Sequence, residues 1–127
     1  MTFNWIDYFN LAENSYNFAC EDTSCTIKEA YYRNSISRAY YSVYCEVRNY
    51  VKDRDKVEFS SGAHQKLQSY LMEQGGKKST IGNQLKQLHQ DRIQADYYDK
   101  LNSPNKKAGK ALSQARKIST SLNDLKN

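Results

Sequence analysis

Residues 27–53 read IKEAYYRNSISRAYYSVYCEVRNYVKD, and the fold follows from their spacing. Tyr32, Ile36, Ala39, Tyr40, Val43, Tyr44, Val47 and Val51 recur at steps of three and four residues, the repeat of one helix face. Hydrophobic neighbours wrap past that face, so other elements must cover this helix on more than one side. Neither proline nor glycine interrupts the stretch. It is the expected central helix of an all-α protein.

Toward the N-terminus, Glu21-Asp22-Thr23-Ser24 reads as a polar connection. Before it, Trp5, Phe9, Ala12, Tyr16 and Ala19 form the stripe of a helix running from Thr2, an expected N-cap, to Cys20. Toward the C-terminus, the charge run Lys52-Asp53-Arg54-Asp55-Lys56 reads as a solvated loop. Ser60-Ser61-Gly62 offers caps for a shorter third helix through Leu67, Tyr70 and Leu71, which Gly75-Gly76 stops.

A fourth helix is predicted from Ser79 to Tyr98, with Ile81, Leu85, Leu88, Arg92 and Ala95 in register. Ser103-Pro104 supplies an N-cap followed by proline in the first turn, and Ala108, Ala111, Ala115, Ile118, Leu122 and Leu125 line a fifth. Amphipathic helices joined mostly by short links predict an up-and-down bundle of about five helices. With no repeat and no convincing strand, residues 1–127 read as a single domain.

Composition narrows the partners. A formal charge of +5 favours anions, nucleic acid first, although charge of this size also serves solubility. Eleven tyrosines combine apolar rings with hydroxyls that need partners when buried, which suits interfaces, half-polar cores and base stacking alike. Polar residues from Asn4 to Asn14 break any leader-like apolar run, and no stretch is apolar enough to span a bilayer, so a cytoplasmic, membrane-free protein is expected. Cys20, Cys25 and Cys45 lack metal-type spacing; no metal and no cofactor is expected, and reduced thiols are.

Chemistry is expected where polar groups enter apolar stripes. The face of the fourth helix continues from Leu85 and Leu88 into Arg92 and then Ala95 or Asp96; in the central helix Ser37 and Arg38 sit among Ile36, Ala39, Tyr40 and Tyr41. Ions at core-side positions need partners, and Arg38 with Asp96 is the expected charge pair. Spacing alone favours a structural ion pair. A phosphate site is the functional alternative, because the guanidinium fork matches phosphate geometry and aromatic neighbours stack on bases.

The strings Asn34-Ser35-Ile36-Ser37-Arg38-Ala39-Tyr40-Tyr41, Ala63-His64-Gln65-Lys66-Leu67 and Leu88-His89-Gln90-Asp91-Arg92-Ile93-Gln94-Ala95-Asp96-Tyr97 occur in that order along nearly the whole chain. Together they resemble the bacterial branch of the HEPN superfamily, with its S-R-A-Y-Y and R-x-x-A-D-Y helices. The resemblance implies a helical bundle that frequently homodimerises and serves toxin-antitoxin, phage-defence or RNA-processing systems. In catalytic members an R-x4-6-H motif from each subunit cuts RNA without metal: arginine steadies the phosphate and histidine activates the ribose hydroxyl. Here the positions allowed to histidine hold Tyr97, Tyr98 and Asp99.

Arg92 therefore inherits the arginine role, and the histidine role has no residue to receive it. His89, one turn before Arg92, is the candidate substitute base, against the commoner role of a structural hydrogen-bonder. Arg38, Arg92, Tyr41 and Tyr97 are the candidate RNA or phosphate contacts; Ser37, Tyr40, His64 and Asp96 are candidates for structural or orienting roles. The leading functional expectation is an RNA-associated, ribonuclease-toxin-type component with a degenerate motif. Alternatives are a non-catalytic dimeric module working with a nucleotidyltransferase or other operon partner, and a nucleotide-binding regulator, which no glycine-rich loop supports.

Overall fold

The computed structural model describes residues 2–21 and 26–127. Five helices order them: α1 (Ile6–Glu21), α2 (Lys28–Asp55), α3 (Ala63–Gln74), α4 (Gly76–Tyr97) and α5 (Pro104–Lys126), with no strand among the described residues. The predicted polar link at 21–24, like Cys25, lies largely outside the described residues.

The stripes read from spacing are the core. Ile36, Ala39, Tyr40, Val43 and Val47 of α2 are buried against Ile81, Leu85 and Leu88 of α4 and Ala108, Ala111, Ala115 and Ile118 of α5, in one cluster. Alanines on α1 and α5 let those helices sit close to α2, where bulkier side chains would hold the backbones apart. Arg116 of α5 reaches Glu13 of α1 at 2.6 Å on the outside of this packing.

Side-chain contacts give the helix directions. Asn34 with Ser15, and Ser35 with Ala12, run α1 and α2 in opposite senses. Arg92 with Tyr41, and Asp96 with Ser37, do the same for α4 and α2. The predicted alternation has one departure. His64 meets Tyr40 near the middle of α2, and Tyr70 donates to Asp55 at its end, at 2.7 Å, so α3 runs in the same sense as α2. Segment 56–62 makes this possible by doubling back along α2, with Lys52 paired to Glu58 at 3.3 Å.

Local chemistry shifts several ends from their expected places. The charge run at 52–56 is the last turn of α2, which Lys56 closes in the left-handed region at φ 59°, and Asp55 is held by Tyr70 and Lys78. Asn4, not Thr2, caps α1, its Oδ1 accepting from the Ile6 N–H at 3.3 Å. The break between α3 and α4 is narrower than expected: Gly75, at φ 75°, turns the chain, and Gly76 already opens α4. Ser103 precedes α5 as predicted but, at φ 49°, makes no side-chain cap.

Gly82 marks the closest approach of α3 and α4. A Cβ there would meet the Gln68 carbonyl oxygen at 2.9 Å and the Leu71 and Met72 side chains at 3.0 Å. Alanine is the better helix former by about 1 kcal/mol, but crowding of this kind costs about 1–3 kcal/mol and the backbone oxygen cannot yield alone. Gly82→Ala is accordingly expected to lower stability by roughly 1 kcal/mol in denaturant unfolding; a stabilised variant would show that α3 is free to move outward.

Candidate functional site

The site is built where α3 and α4 meet the middle of α2. Tyr40 is buried completely, and a phenol in that position must find a partner for its proton. Its hydroxyl is hydrogen-bonded to Nδ1 of His64, a first-turn residue of α3. No other acceptor contacts this hydroxyl among the described residues, so the phenol donates and His64 carries its proton on Nε2. Burial pushes the Tyr40 hydroxyl well above the usual tyrosine range, which keeps that proton in place.

His64 is one layer of an aromatic stack. Tyr44 lies on it at 4.1 Å between ring centroids, and His89 of α4 lies nearly parallel to it at 4.8 Å and 8°. Tyr40 flanks both imidazoles at 5.5 and 5.2 Å. Gln68, one turn beyond His64 and buried, donates its amide to Nδ1 of His89 at 3.2 Å, which leaves the His89 proton on Nε2 as well. Each histidine thus has its basic lone pair occupied from within the bundle.

Burial, the neighbouring imidazole and the Arg92 charge push His64 down to about 4. Burial first, then Arg92, lowers His89 in the same direction. Two rings stacked face to face beside a guanidinium resist becoming cations, so both are neutral at pH 7.

Arg92 joins this stack to the surface. Its side chain is only 13% exposed; Nη2 donates to the Tyr41 hydroxyl at 2.5 Å, and the guanidinium lies 4.9 Å from the Tyr41 ring centroid and 5.7 Å from that of Tyr97. Nε stands 2.9 Å from Oδ2 of Asp96, close enough for an ion pair, yet makes no hydrogen bond and is buried. That distance and that missing bond are compatible: the charges are adjacent and the N–H is misdirected. Ser37 donates to the same Asp96 oxygen at 3.2 Å.

Most of the residues singled out from the sequence therefore converge. Tyr40, Tyr41, His64, His89, Arg92, Asp96, Ser37 and Tyr97 belong to one connected set of contacts. Arg38 does not join it. The expected Arg38–Asp96 pair is replaced by Arg92–Asp96 within α4, and Arg38 lies over the Tyr8 ring at 4.9 Å. One step along α2 rotates a side chain by about 100°, enough to send Ser37 to α4 and Arg38 to α1.

Spacing missed Tyr44, read only as core, and Gln68, whose polarity at a buried stripe position was the available signal. It also missed Arg33. That guanidinium donates to the carbonyls of Ala95 and Tyr98 at 2.9 and 2.6 Å and to that of Asp99 at 3.3 Å. A cation on the carbonyl end of α4 meets the negative pole of its dipole and fixes the turn bearing Asp96 and Tyr97. Its only sequence mark was Glu29 four residues earlier, which reads as an ordinary surface pair.

Among the described residues no helix is long and apolar enough to cross a membrane. Compared with family models, curated proteins and solved structures, the chain matches none.

The buried imidazoles make stability depend on pH. His64 is lowered on folding, so its contribution is complete above the unfolded value of about 6.5 and is lost as pH falls from there toward about 4. The loss has an upper bound of about 3 kcal/mol, reduced by solvent at the partly exposed ring. Urea unfolding at pH 7 and pH 4.5 is expected to show this loss in the wild type and a smaller one in His64→Gln, which cannot take the proton. Equal losses in both proteins would place the acid sensitivity elsewhere.

Proposed function

We propose that the chain is a HEPN-like, RNA-associated domain, a ribonuclease-toxin-type component of a toxin-antitoxin or phage-defence system, whose site holds RNA through Arg92 and cleaves it weakly or not at all. One observation carries the phosphate role. Arg92 is held by Tyr41 through Nη2 and flanked by two tyrosine rings, and its Nη1 makes no hydrogen bond among the described residues. A phosphate oxygen would satisfy that donor, and the rings offer stacking surfaces to the adjoining bases.

The weak-cleavage half rests on the histidines. A general base needs an available lone pair, and Nδ1 of His64 and of His89 are both engaged, by Tyr40 and Gln68. What each neutral ring retains is an N–H, a hydrogen-bond donor suited to an anion and unable to take a proton from a ribose hydroxyl.

A second reading, a dimeric interaction module serving a nucleotidyltransferase or other partner enzyme, is favoured by one feature. Tyr97 and Tyr98, at the end of α4 beside Arg92, are 70% and 55% exposed. Aromatic residues left on a surface next to an arginine are the composition of interface cores. Both readings take the protein as a symmetric homodimer whose interface borders the site. Light scattering at tens of micromolar, about where most stable dimers persist, is expected to return twice the chain mass; a monomer there would remove the dimer from the proposal.

The functional test compares wild type, Arg92→Ala and His89→Ala on mixed single-stranded RNA with chelator present. Wild type is expected to bind RNA with a salt-dependent affinity and to cleave little, because a missing base forgoes about 10²- to 10⁴-fold in rate. Arg92→Ala should bind more weakly and flatten the salt dependence by roughly 0.7 in log–log slope, one phosphate contact on a single strand. Robust cleavage abolished by both substitutions would overturn the degenerate site and make His89 the base. Absence of RNA binding by the wild type would leave the interaction module as the better reading.

A further inference from the structure

The doubling back of segment 56–62 along α2 opens a cavity of about 230 Å³ between that segment, the second half of α2 and the start of α3. We propose that this cavity is a base-binding subsite, taking the base of a nucleotide close along the strand to the one whose phosphate Arg92 holds. The inference rests on the RNA reading above and extends it to a second set of residues.

Size fits a single ring system. Pockets for drug-sized ligands begin at roughly 300 Å³, so this one suits a planar heterocycle. Its walls have the matching chemistry: Tyr44 and Phe59 are aromatic, Arg48 and Asn49 stand along α2, and Lys52 beyond them is paired with Glu58, a carboxylate of the same lining. The Arg48 guanidinium lies 6.0 Å from the Tyr44 ring centroid, forming with it a mixed cation and aromatic lining. The Asn49 side-chain oxygen, Oδ1, accepts from Arg48 at 3.2 and 3.1 Å, leaving the NH₂ as the free end of that side chain's amide. An aromatic surface, an amide donor and the Arg48 cation together suit a base and its phosphate.

Position connects the cavity to the Arg92 site. Tyr44 lines the cavity and also stacks on His64, so one ring is shared by both. Tyr41, which holds Arg92, and Arg48 are two helical turns apart on one side of α2, about 10 Å at 1.5 Å per residue. Neighbouring nucleotides of one strand can occupy both places. A cavity of similar volume, about 240 Å³, opens between α1, α2 and α5 around Ile6, Phe9 and Val43, and shares no lining residue with the Arg92 site. Of these two, the first is joined through Tyr44 to the stack beside Arg92.

The test uses the full chain and two readouts. Amide chemical shifts are followed while adenosine, cytidine, guanosine and uridine monophosphates, and separately inorganic phosphate, are added. Fluorescence anisotropy measures a single-stranded RNA of about eight nucleotides and an abasic strand of equal length, with Phe59→Leu, Arg48→Gln and Arg92→Ala. Phe59→Leu removes the ring and keeps an apolar side chain against Tyr70, which guards the fold.

At least one mononucleotide is expected to shift Tyr44, Asn49, Phe59 and Ala63, where phosphate alone does not. Phe59→Leu should weaken RNA about 5- to 100-fold and leave the abasic strand unchanged, whereas Arg92→Ala weakens both strands. Unchanged RNA affinity in both Phe59→Leu and Arg48→Gln, with Arg92→Ala still weakened, would overturn the subsite and spare the RNA reading. The reverse pattern, Phe59→Leu weakened and Arg92→Ala normal, would support the subsite and overturn the phosphate role of Arg92. Failure of every mononucleotide and both strands to bind would overturn the two together.

Discussion

A buried phenol proton organises this molecule. Tyr40 sits in the middle of α2 with no exposure, where an unmet hydroxyl would cost about 1–3 kcal/mol. His64 is the group that meets it, and placing His64 there requires the chain to double back after α2 and start α3 beside Tyr40. Once α3 is fixed, Gln68 follows one turn later, its amide meets His89, and α4 is set against both helices. The close approach at Gly82 belongs to the same seating. The parallel run of α2 and α3 and the stacked histidines go together with satisfying that hydroxyl, while burial of Leu67 and Leu71 in the shared core holds α3 in place.

The same packing determines what the polar residues can do chemically. Arg92 lies at the edge of the stack, and its charge makes protonation of either imidazole harder. The histidines in turn stay neutral and add no competing positive charge beside Arg92. Asp96 neutralises part of the guanidinium beside Nε and Tyr41 takes Nη2, so charge is partly balanced while Nη1 is left without a partner among the described residues. A group in that condition gains more from an incoming anion than a fully bonded arginine would.

Much of this was legible in the sequence, because helical periodicity converts directly into burial. The stripes of α2, α4 and α5 are the core residues, and the entry of Arg92 and Asp96 into the α4 stripe marked the polar cluster taken as the candidate site. What periodicity could not supply was which helix each polar residue meets. Ser37 and Arg38 are adjacent in sequence, yet one turns to α4 and the other to α1. Arg33 caps a helix more than sixty residues away, a relation that local spacing cannot encode. The end of α2 was hidden for another reason: the charged residues 52–56 read equally well as a solvated loop and as a final helical turn, and contacts of Asp55 with Tyr70 and Lys78 decide between them.

Both imidazole lone pairs are engaged inside the bundle, which leaves the two rings poor acceptors of protons. Nitrogen-15 shifts of the His64 and His89 rings at neutral pH report this directly. The account predicts that both rings are neutral, each protonated on Nε2 with Nδ1 bare and hydrogen-bonded, and that Tyr40→Phe shifts the Nδ1 signal of His64. An imidazolium at either position, or a proton on Nδ1 of His89, would contradict it.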